Sequence, residues 1–301
     1  MLRAALDSLL AQTYAHLEIL VQDDSTNDGC GQVVRELNDP RIHYTRNQPA
    51  LGTVSNLRAG YRKATGKYFS TLNDDDLYTP TYIQTMVESL EADPRYSMAF
   101  CDHTIIDQDG VIDEATTNTN SITFGRNRLT EGSVPDPVVA GILAKSVPGM
   151  FAMFRREAMD LNDFPDEVSS GYDYWMTYLA VRAGNPIYYT PQRLTSYRVH
   201  AGSQTSSFTN PREALRSLRY SEYMHTRFLA DPGLRSIHSQ LRLRLAEIYA
   251  STGIAHLRLG DRTAARQQFS ASLRTKFTTR ALTGMTLTAA PTSLVKKLLA
   301  A

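Results

Sequence analysis

The stretch Tyr68-Phe69-Ser70-Thr71-Leu72-Asn73-Asp74-Asp75-Asp76-Leu77-Tyr78 decides the fold. Tyr68, Phe69, Thr71 and Leu72 form a short β-prone run that climbs to three successive carboxylates. Aspartate is a poor strand residue, so the strand is expected to stop there and leave the acids at its carboxyl end. Open α/β sheets bind their ligands at that end. Adjacent like charges repel, and a desolvated cluster needs a cation to be tolerated. Hard oxygen donors suit Mg²⁺ or Mn²⁺, ions commonly shared with substrate phosphates. Taken without its surroundings, a run of three aspartates reads equally well as a solvated acidic turn.

The surroundings favour the site. Leu2, Ala5, Leu6, Leu9 and Leu10 recur at helical spacing, so residues 2–12 read as an amphipathic helix. Leu17 to Val21 is a compact apolar strand that ends at the polar run Gln22-Asp23-Asp24-Ser25-Thr26-Asn27-Asp28-Gly29. Ser25, Thr26 or Asn27 can cap a helix through Val33, Val34 and Leu37. A strand follows at Ile42 to Thr45, then a helix from Thr53 to Ala64 closed by Gly66, then the strand that leads to Asp74. This alternation predicts a parallel sheet wound with crossovers. Asp23-Asp24 and Asp74 to Asp76 both fall at strand carboxyl ends and are expected to face one crevice.

Downstream, Pro80 introduces a helix over Thr81 to Leu90, and Ser97 to Ile106 reads as a strand. Asp107-Gln108-Asp109-Gly110 is a hairpin turn leading to Val111-Ile112. Residues 113–135 are rich in Thr, Asn and Ser and lack apolar periodicity, which predicts a mobile substrate loop. Pro148 to Arg156 reads as a turn followed by a buried strand. Residues 172–184 read as a helix with Trp175, Met176 and Leu179 inward, and Asp173 lies in its first turn, where a carboxylate suits the helix dipole. Tyr188 to Pro191 ends one strand and Leu194 to His200 forms the next segment.

Composition excludes several classes. The chain has 301 residues, 42% hydrophobic and 21% charged, enough apolar material for a large core. Its formal net charge of +1 gives no sign of a broad nucleic-acid-binding surface. Cys30 and Cys101 lack metal-ligand spacing and make no disulfide framework, which points to a reducing compartment. No apolar run approaches the roughly 18 residues of a membrane span, and Met1-Leu2-Arg3-Ala4 has no signal-peptide character. The expected location is the cytoplasm, with peripheral attachment to the inner membrane face as an option.

Ala11-Gln12-Thr13-Tyr14, Leu17-Glu18-Ile19-Leu20-Val21, Asp23-Asp24-Ser25-Thr26 and Asp28-Gly29, in that order, resemble the opening of the family-2 glycosyltransferases. Ala64-Thr65-Gly66-Lys67-Tyr68 and Asn73-Asp74-Asp75-Asp76 resemble their metal-binding signature. The resemblance runs from residue 2 to about residue 206. It implies a nucleotide-diphosphosugar-binding α/β domain of the GT-A type over residues 1–208 and transfer of a sugar from a UDP- or dTDP-linked donor with inversion. The acceptor hydroxyl would belong to a glycan, a lipid-linked molecule or a small molecule. On this resemblance Asp23 and Asp24 serve the nucleotide pocket, Asp75 the ribose, Arg198 the diphosphate, and Asp76 with His200 a Mn²⁺ or Mg²⁺ ion. Gly149 suits either close approach to the donor sugar or a plain turn. Asp173 is the implied base, although Ser170 and Gly171 stand where relatives carry an acidic pair. Relatives also begin with a further β-strand, and this chain opens directly on the helix that follows it.

Residues 209–301 change to helices rich in Leu, Arg and Ala. The run from Leu241 to Leu273, turning at Gly260-Asp261, is similar to one tetratricopeptide unit, which needs a neighbouring surface or a protein partner to cover it. Lys296-Lys297 beside Leu294 to Leu299 suits plain packing or a membrane-surface helix. A catalytically impaired nucleotide-sugar-binding or assembly protein is the alternative function, motivated by the absent strand and by Gly171. A metal-dependent nucleotidyltransferase ranks third, because no Gly-rich phosphate loop is present near the start.

Overall fold

The computed structural model describes residues 1–200 and 210–300; the expected boundary at 208/209 lies outside them, as do the side chains of Lys296 and Lys297. The chain divides into two units, Met1–His200 and Ala201–Ala301.

The first unit begins with helix α1 (Leu2–Leu10), which buries Ala5 and Leu6. Strand β1 (Ile19–Asp23), helix α2 (Gly29–Leu37) and strand β2 (Ile42–Arg46) form a parallel βαβ unit with Ile19 opposite Ile42 and Asp23 opposite Arg46. The N-cap of α2 is Asp28, not Ser25, Thr26 or Asn27, and no side chain caps it; Asn27 accepts the Gly29 N–H at 2.9 Å in the turn before it. Helix α3 (Thr53–Lys63) leads to β3 (Tyr68–Ser70), which stops before the acids and opens a second sheet.

That sheet runs β3, β7 (Ala152–Arg155), β5 (Met98–Ile106), β8 (Ile187–Arg198), β4 (Leu77–Tyr78), with β6 (Gly132–Ser133) also paired to β8. The pair β5–β8 is parallel, whereas β7 runs antiparallel to both β3 and β5. The core lies across β5. Met98, Ala99, Phe100 and Cys101 are fully buried, with Tyr82, Met86 and Leu90 of helix α4 (Tyr82–Glu91) clustered around Ala99 and Cys101. Phe100 meets Tyr189 at 5.0 Å between ring centroids, and Phe69 stacks on Phe154 at 5.5 Å. Helix α6 (Tyr172–Val181) buries Trp175, Met176 and Leu179 as its spacing predicts.

Two readings change. The segments around Tyr188 and Leu194 are one strand, β8, whose register against β5 shifts between Cys101 and His103. Pro191 lies in that stretch and has no amide to donate, so the ladder skips there. The segment 113–135 is not a loop. Glu114–Thr123 is helix α5, begun by Asp113, whose carboxylate accepts the Thr116 N–H at 2.9 Å. Its buried face is polar: Thr117 Oγ1 accepts the Ile105 N–H at 2.8 Å and Ser121 donates to Asp102 at 2.6 Å. A helix that docks through hydroxyls shows no apolar period, which is why the sequence pattern misses it.

The second unit holds α7 (Pro211–Ala230), α8 (His238–Arg258), α9 (Arg262–Thr275), α10 (Thr279–Leu287) and α11 (Thr292–Ala300). The turn between α8 and α9 uses Gly260 at φ +83° and Asp261, which accepts the Ala264 N–H. The Phe269 ring is clasped by two glycines; a Cβ at Gly253 or Gly284 would stand 2.6 or 2.2 Å from it.

Below α5, Arg126 and Asp102 form a buried ion pair at 2.7 Å, 2% and 8% exposed at the side chain. Burial pushes the Asp102 carboxyl up, but donation from Ser121 and Arg126 outweighs it and holds the group below its ordinary value. Arg126→Met is expected to destabilise the protein by about 3 kcal/mol, because it strands a buried carboxylate. Urea unfolding of Arg126→Met and of Arg126→Met/Asp102→Leu checks this: the double variant is expected to be the more stable of the two.

Candidate active site

The carboxyl ends of β1 and β3 carry the acids, and the fold treats the two clusters differently. Asp23 is buried; its carboxylate accepts the Tyr44 hydroxyl at 2.7 Å and the Ser25 N–H at 2.8 Å. Burial raises the Asp23 pKa, but these donors outweigh it and keep the group ionised below its usual range. Asp24 accepts Asn47 Nδ2 and the Gly52 N–H, both at 2.8 Å, so it braces the end of β2 against the entry to α3. Each of its oxygens retains a lone pair for a further donor.

In the second cluster the three aspartates have three environments. Asp74 is exposed. Asp75 is partly buried, and its Oδ2 stands 3.2 Å from His200 Nε2. Asp76 is completely buried, accepting the Arg198 N–H at 2.9 Å and Asn73 Nδ2 at 3.0 Å. Burial pushes its pKa up to about 7, with Asp75 adding to the shift and the Arg198 N–H opposing it. Asn73 in turn accepts the Tyr172 hydroxyl at 2.7 Å. A continuous chain therefore runs from Tyr172, at the start of α6, through Asn73 and Asp76 to the backbone of Arg198 at the end of β8.

The Arg198 side chain is engaged from within the fold. Its Nε donates to the Asp75 carbonyl at 2.8 Å, and Nη1 donates to the carbonyls of Asp107 and Gln108 at 2.9 and 3.1 Å. The expectation that Arg198 grips a diphosphate meets this arrangement, in which the guanidinium ties the β8 end to the acidic tip and to the β5 hairpin.

Asp173 lies one residue beyond Tyr172, half-buried. Burial raises its pKa above the ordinary carboxylate value, against the Tyr174 N–H and the nearby Lys145 charge. The Asp173 charge in turn contributes to raised phenol pKa values at Tyr172 and Tyr61, beyond the dominant effect of their burial. Asp76 also acts on Tyr172, so Asp173 and Asp76 flank one tyrosine. Gly149 meets this point from below. A Cβ there would lie 2.2 Å from the Asp173 carbonyl oxygen and 2.9 Å from Thr177 Oγ1. The close approach that needs glycine is thus with the start of α6.

The structure brings Asp75 with His200, and Asp76 with Asp173 through Tyr172 and Asn73. Asp23 and Asp24 sit at the β1 end, and the charges of Asp23 and Asp74 both act on Cys30. Among the described residues no three His, Cys, Asp or Glu side chains converge as a metal cage. The pair Asp75–His200 offers one oxygen and one nitrogen donor, a set that suits an ion completing its shell with phosphate oxygens and water. Asn73, Tyr172, Tyr44 and Asn47 are site residues that sequence reasoning missed. Asn73 and Tyr172 each adjoin an acid already singled out, and that adjacency was the only available signal.

Residues 1–160 match the family described as Glycosyl transferase family 2. An uncharacterized glycosyltransferase of Rickettsia typhi is 26% identical over 223 residues, 72% of this chain and 65% of that protein. The chain thus spans just under two thirds of that relative's length. The UDP-Glc:alpha-D-GlcNAc-diphosphoundecaprenol beta-1,3-glucosyltransferase WfaP of Escherichia coli is 24% identical over 206 residues, 68% of this chain and 74% of that protein. Among solved structures, S. aureus TarS 1–349 in complex with UDP-GlcNAc superposes with a TM-score of 0.63 at 14% identity, covering 91% of this chain and 77% of that one. The mannosyltransferase PcManGT from Pyrobaculum calidifontis, in complex with GDP-Man and Mn²⁺, gives 0.54 at 17% identity, covering 97% and 81%.

Gly149→Ala is expected to displace the first turn of α6, costing about 1–3 kcal/mol of stability by overpacking. Thermal unfolding of the variant checks this, and an unchanged melting temperature counts against the close approach.

Proposed function

The chain belongs to glycosyl transferase family 2, and from that premise we propose that it transfers a hexose from a UDP-sugar to an acceptor hydroxyl on a lipid-linked molecule, with inversion. The observation that carries this reading is the junction of the Asp75–His200 pair with Asp76, Tyr172 and Asp173 through Asn73. The UDP and lipid-diphosphate assignments rest on the relatives' names, dTDP being the other donor the sequence resemblance allows.

Asp23 and Asp24 border the nucleotide pocket and keep it anionic and acceptor-rich, suited to base and ribose donors. Asp75 and His200 would hold the divalent ion, Mn²⁺ being favoured by the imidazole nitrogen. When bound, the ion supplies charge neutralisation for the departing diphosphate. Asp76 instead sets the position of that pair by fixing Arg198 and Asn73. Asp173 takes the proton of the acceptor hydroxyl as its oxygen bonds to the anomeric carbon. The bond from that carbon to the diphosphate breaks on the opposite face, and the diphosphate leaves with the electron pair. One displacement inverts the centre and needs one base. A raised pKa makes Asp173 a better proton acceptor once ionised, and places the acid limb of the rate profile above the ordinary carboxylate range.

Two finer readings accompany it. Helix α3 covers both β1 and β3, with Gly60 against Gln22 and Tyr61 against Phe69. Among the described residues those strands share no ladder; the Glu18 side chain bridges them, accepting the Thr65 and Gly66 N–H groups at 2.5 and 3.1 Å. β1 pairs only with β2, and β3 only with β7, among the described residues, which supports the further strand that the family resemblance implies. The α8–α9 pair is read as one tetratricopeptide-like unit. Gly171, standing where relatives carry an acid, favours the second function, a nucleotide-sugar-binding protein without turnover.

Calorimetric titration of UDP with and without Mn²⁺, followed by turnover with donor sugars, separates these readings. Metal-dependent binding is expected in the native chain and is expected to fall at least about tenfold in Asp75→Ala. Asp173→Asn is expected to bind UDP normally while losing about a hundredfold or more in transfer, along with the acid limb. Undiminished transfer in either variant overturns the assignment; binding without turnover in the native chain selects the second reading.

A further inference from the structure

The whole-chain charge of +1 conceals a division. Residues 1–200 carry 17 Lys and Arg against 26 Asp and Glu, a net of −9, whereas residues 201–301 carry 15 against 5, a net of +10. Such asymmetry between two units of one chain points to an anionic partner for the basic one.

Within that unit the charge is organised along α9. Arg262, Arg266, Ser270 and Arg274 recur every fourth residue and so share one helix face. They line a groove of about 500 Å³ with Thr263, Gln267 and Thr288, and no carboxylate borders it. Among the described residues these cations meet no acid. Arg262 donates to the Ala290 carbonyl at 2.7 Å, and Arg274 donates to the Ser270 hydroxyl at 3.1 Å. Lys276, just beyond, donates to the Ser239 carbonyl at 3.4 Å.

The same helices expose apolar side chains. Phe277, between α9 and α10, is 63% exposed, Leu282 on α10 is 47%, and Leu294 and Leu298 on α11 are 44% and 52%. Leu294 and Leu298 are one turn apart and lie on one face, while Val295 between them is buried. A polyanion in solution calls for positive charge alone. A basic helix face followed, in the same helical unit, by an exposed aromatic ring and exposed leucines is the composition that enters the headgroup region of an anionic bilayer.

We propose that α9–α11 form a peripheral docking surface for a bilayer bearing anionic phospholipid, with the Arg262–Arg266–Arg274 face meeting headgroup phosphates and Phe277, Leu282, Leu294 and Leu298 entering the interface. No helix is long and apolar enough to cross a membrane among the described residues, so attachment of this kind is reversible and salt-sensitive. The inference is independent of the transferase reading, because it concerns the helical unit by itself. Should that reading hold, the surface would also concentrate the enzyme where a lipid-linked acceptor resides.

Flotation of the full chain with vesicles tests it. Binding is expected to vesicles of phosphatidylcholine mixed with phosphatidylglycerol, to be weak with phosphatidylcholine alone, and to fall as salt rises. Arg266→Glu/Arg274→Glu, which leaves the structural bonds of Arg262 intact, is expected to weaken partitioning by at least about tenfold. Phe277→Ser, at an exposed position, is expected to weaken it as well. Circular dichroism and the melting temperature verify that both variants remain folded. Equal binding to both vesicle types, no binding to either, or unchanged binding in the charge-reversed chain overturns the proposal. So does a Phe277→Ser chain that binds vesicles like the native one. Selective retention on heparin without vesicle binding also overturns it, in favour of a soluble polyanion.

Discussion

One carboxylate shut away from water organises the first unit. Asp76 is completely buried, yet its two oxygens hold elements far apart in the chain: the Arg198 amide at the end of β8 and the Asn73 amide before β4. A buried carboxyl left without donors would cost several kcal/mol, so the two donors are conditions of the fold as much as products of it. The link to Tyr172 extends the constraint to α6, and the Arg198 guanidinium extends it to the β5 hairpin. Through these bonds the residues that surround the crevice are held by its least accessible member. Asp75 and Asp74 can then remain accessible, because neither has to hold the architecture.

This separation is the ground for proposing Asp75 rather than Asp76 as the metal ligand. A divalent cation shared with a phosphate must reach both solvent and substrate, and its ligands need lone pairs to give. Asp76 is shut away from solvent, with each of its oxygens already accepting one protein donor. Asp75 is partly exposed and faces an imidazole nitrogen. Three identical letters in the sequence thus become one exposed group, one member of an oxygen–nitrogen pair and one internal brace.

Much of this architecture was legible beforehand because it depends on local rules. Helices α1, α3, α4 and α6 and strands β1, β2 and β5 all follow from apolar spacing. What sequence could not reveal depends on long-range polar partners. Helix α5 escapes because Thr117 and Ser121 dock it through hydrogen bonds to β5 and Asp102, and a hydroxyl inside looks like a hydroxyl outside. Arg198 shows the same limit: its chemistry was readable, but its carbonyl partners around Asp75 and Gln108 were not. The net charge failed differently. It averaged two units of opposite sign, a division that the boundary expected at 208/209 already made countable, since residues 201–208 carry no charge.

Asp173, the proposed base, stands alone where the family pattern leads one to expect an acidic pair. A neighbouring acid raises a pKa by repulsion, and Ser170 and Gly171 provide none. Here burial raises it instead, with the Tyr174 N–H and the Lys145 charge limiting the rise. The start of α6 is positioned tightly enough for this to be specific: Gly149 packs against the Asp173 carbonyl so closely that even a methyl group has no room. Because the Tyr172 hydroxyl is fixed on Asn73, movement of the acidic tip would also move the helix turn that carries Asp173. Asp173 and the acidic tip are therefore mechanically one assembly, although more than 90 residues separate them in sequence, as the span from Asn73 to Tyr172 shows.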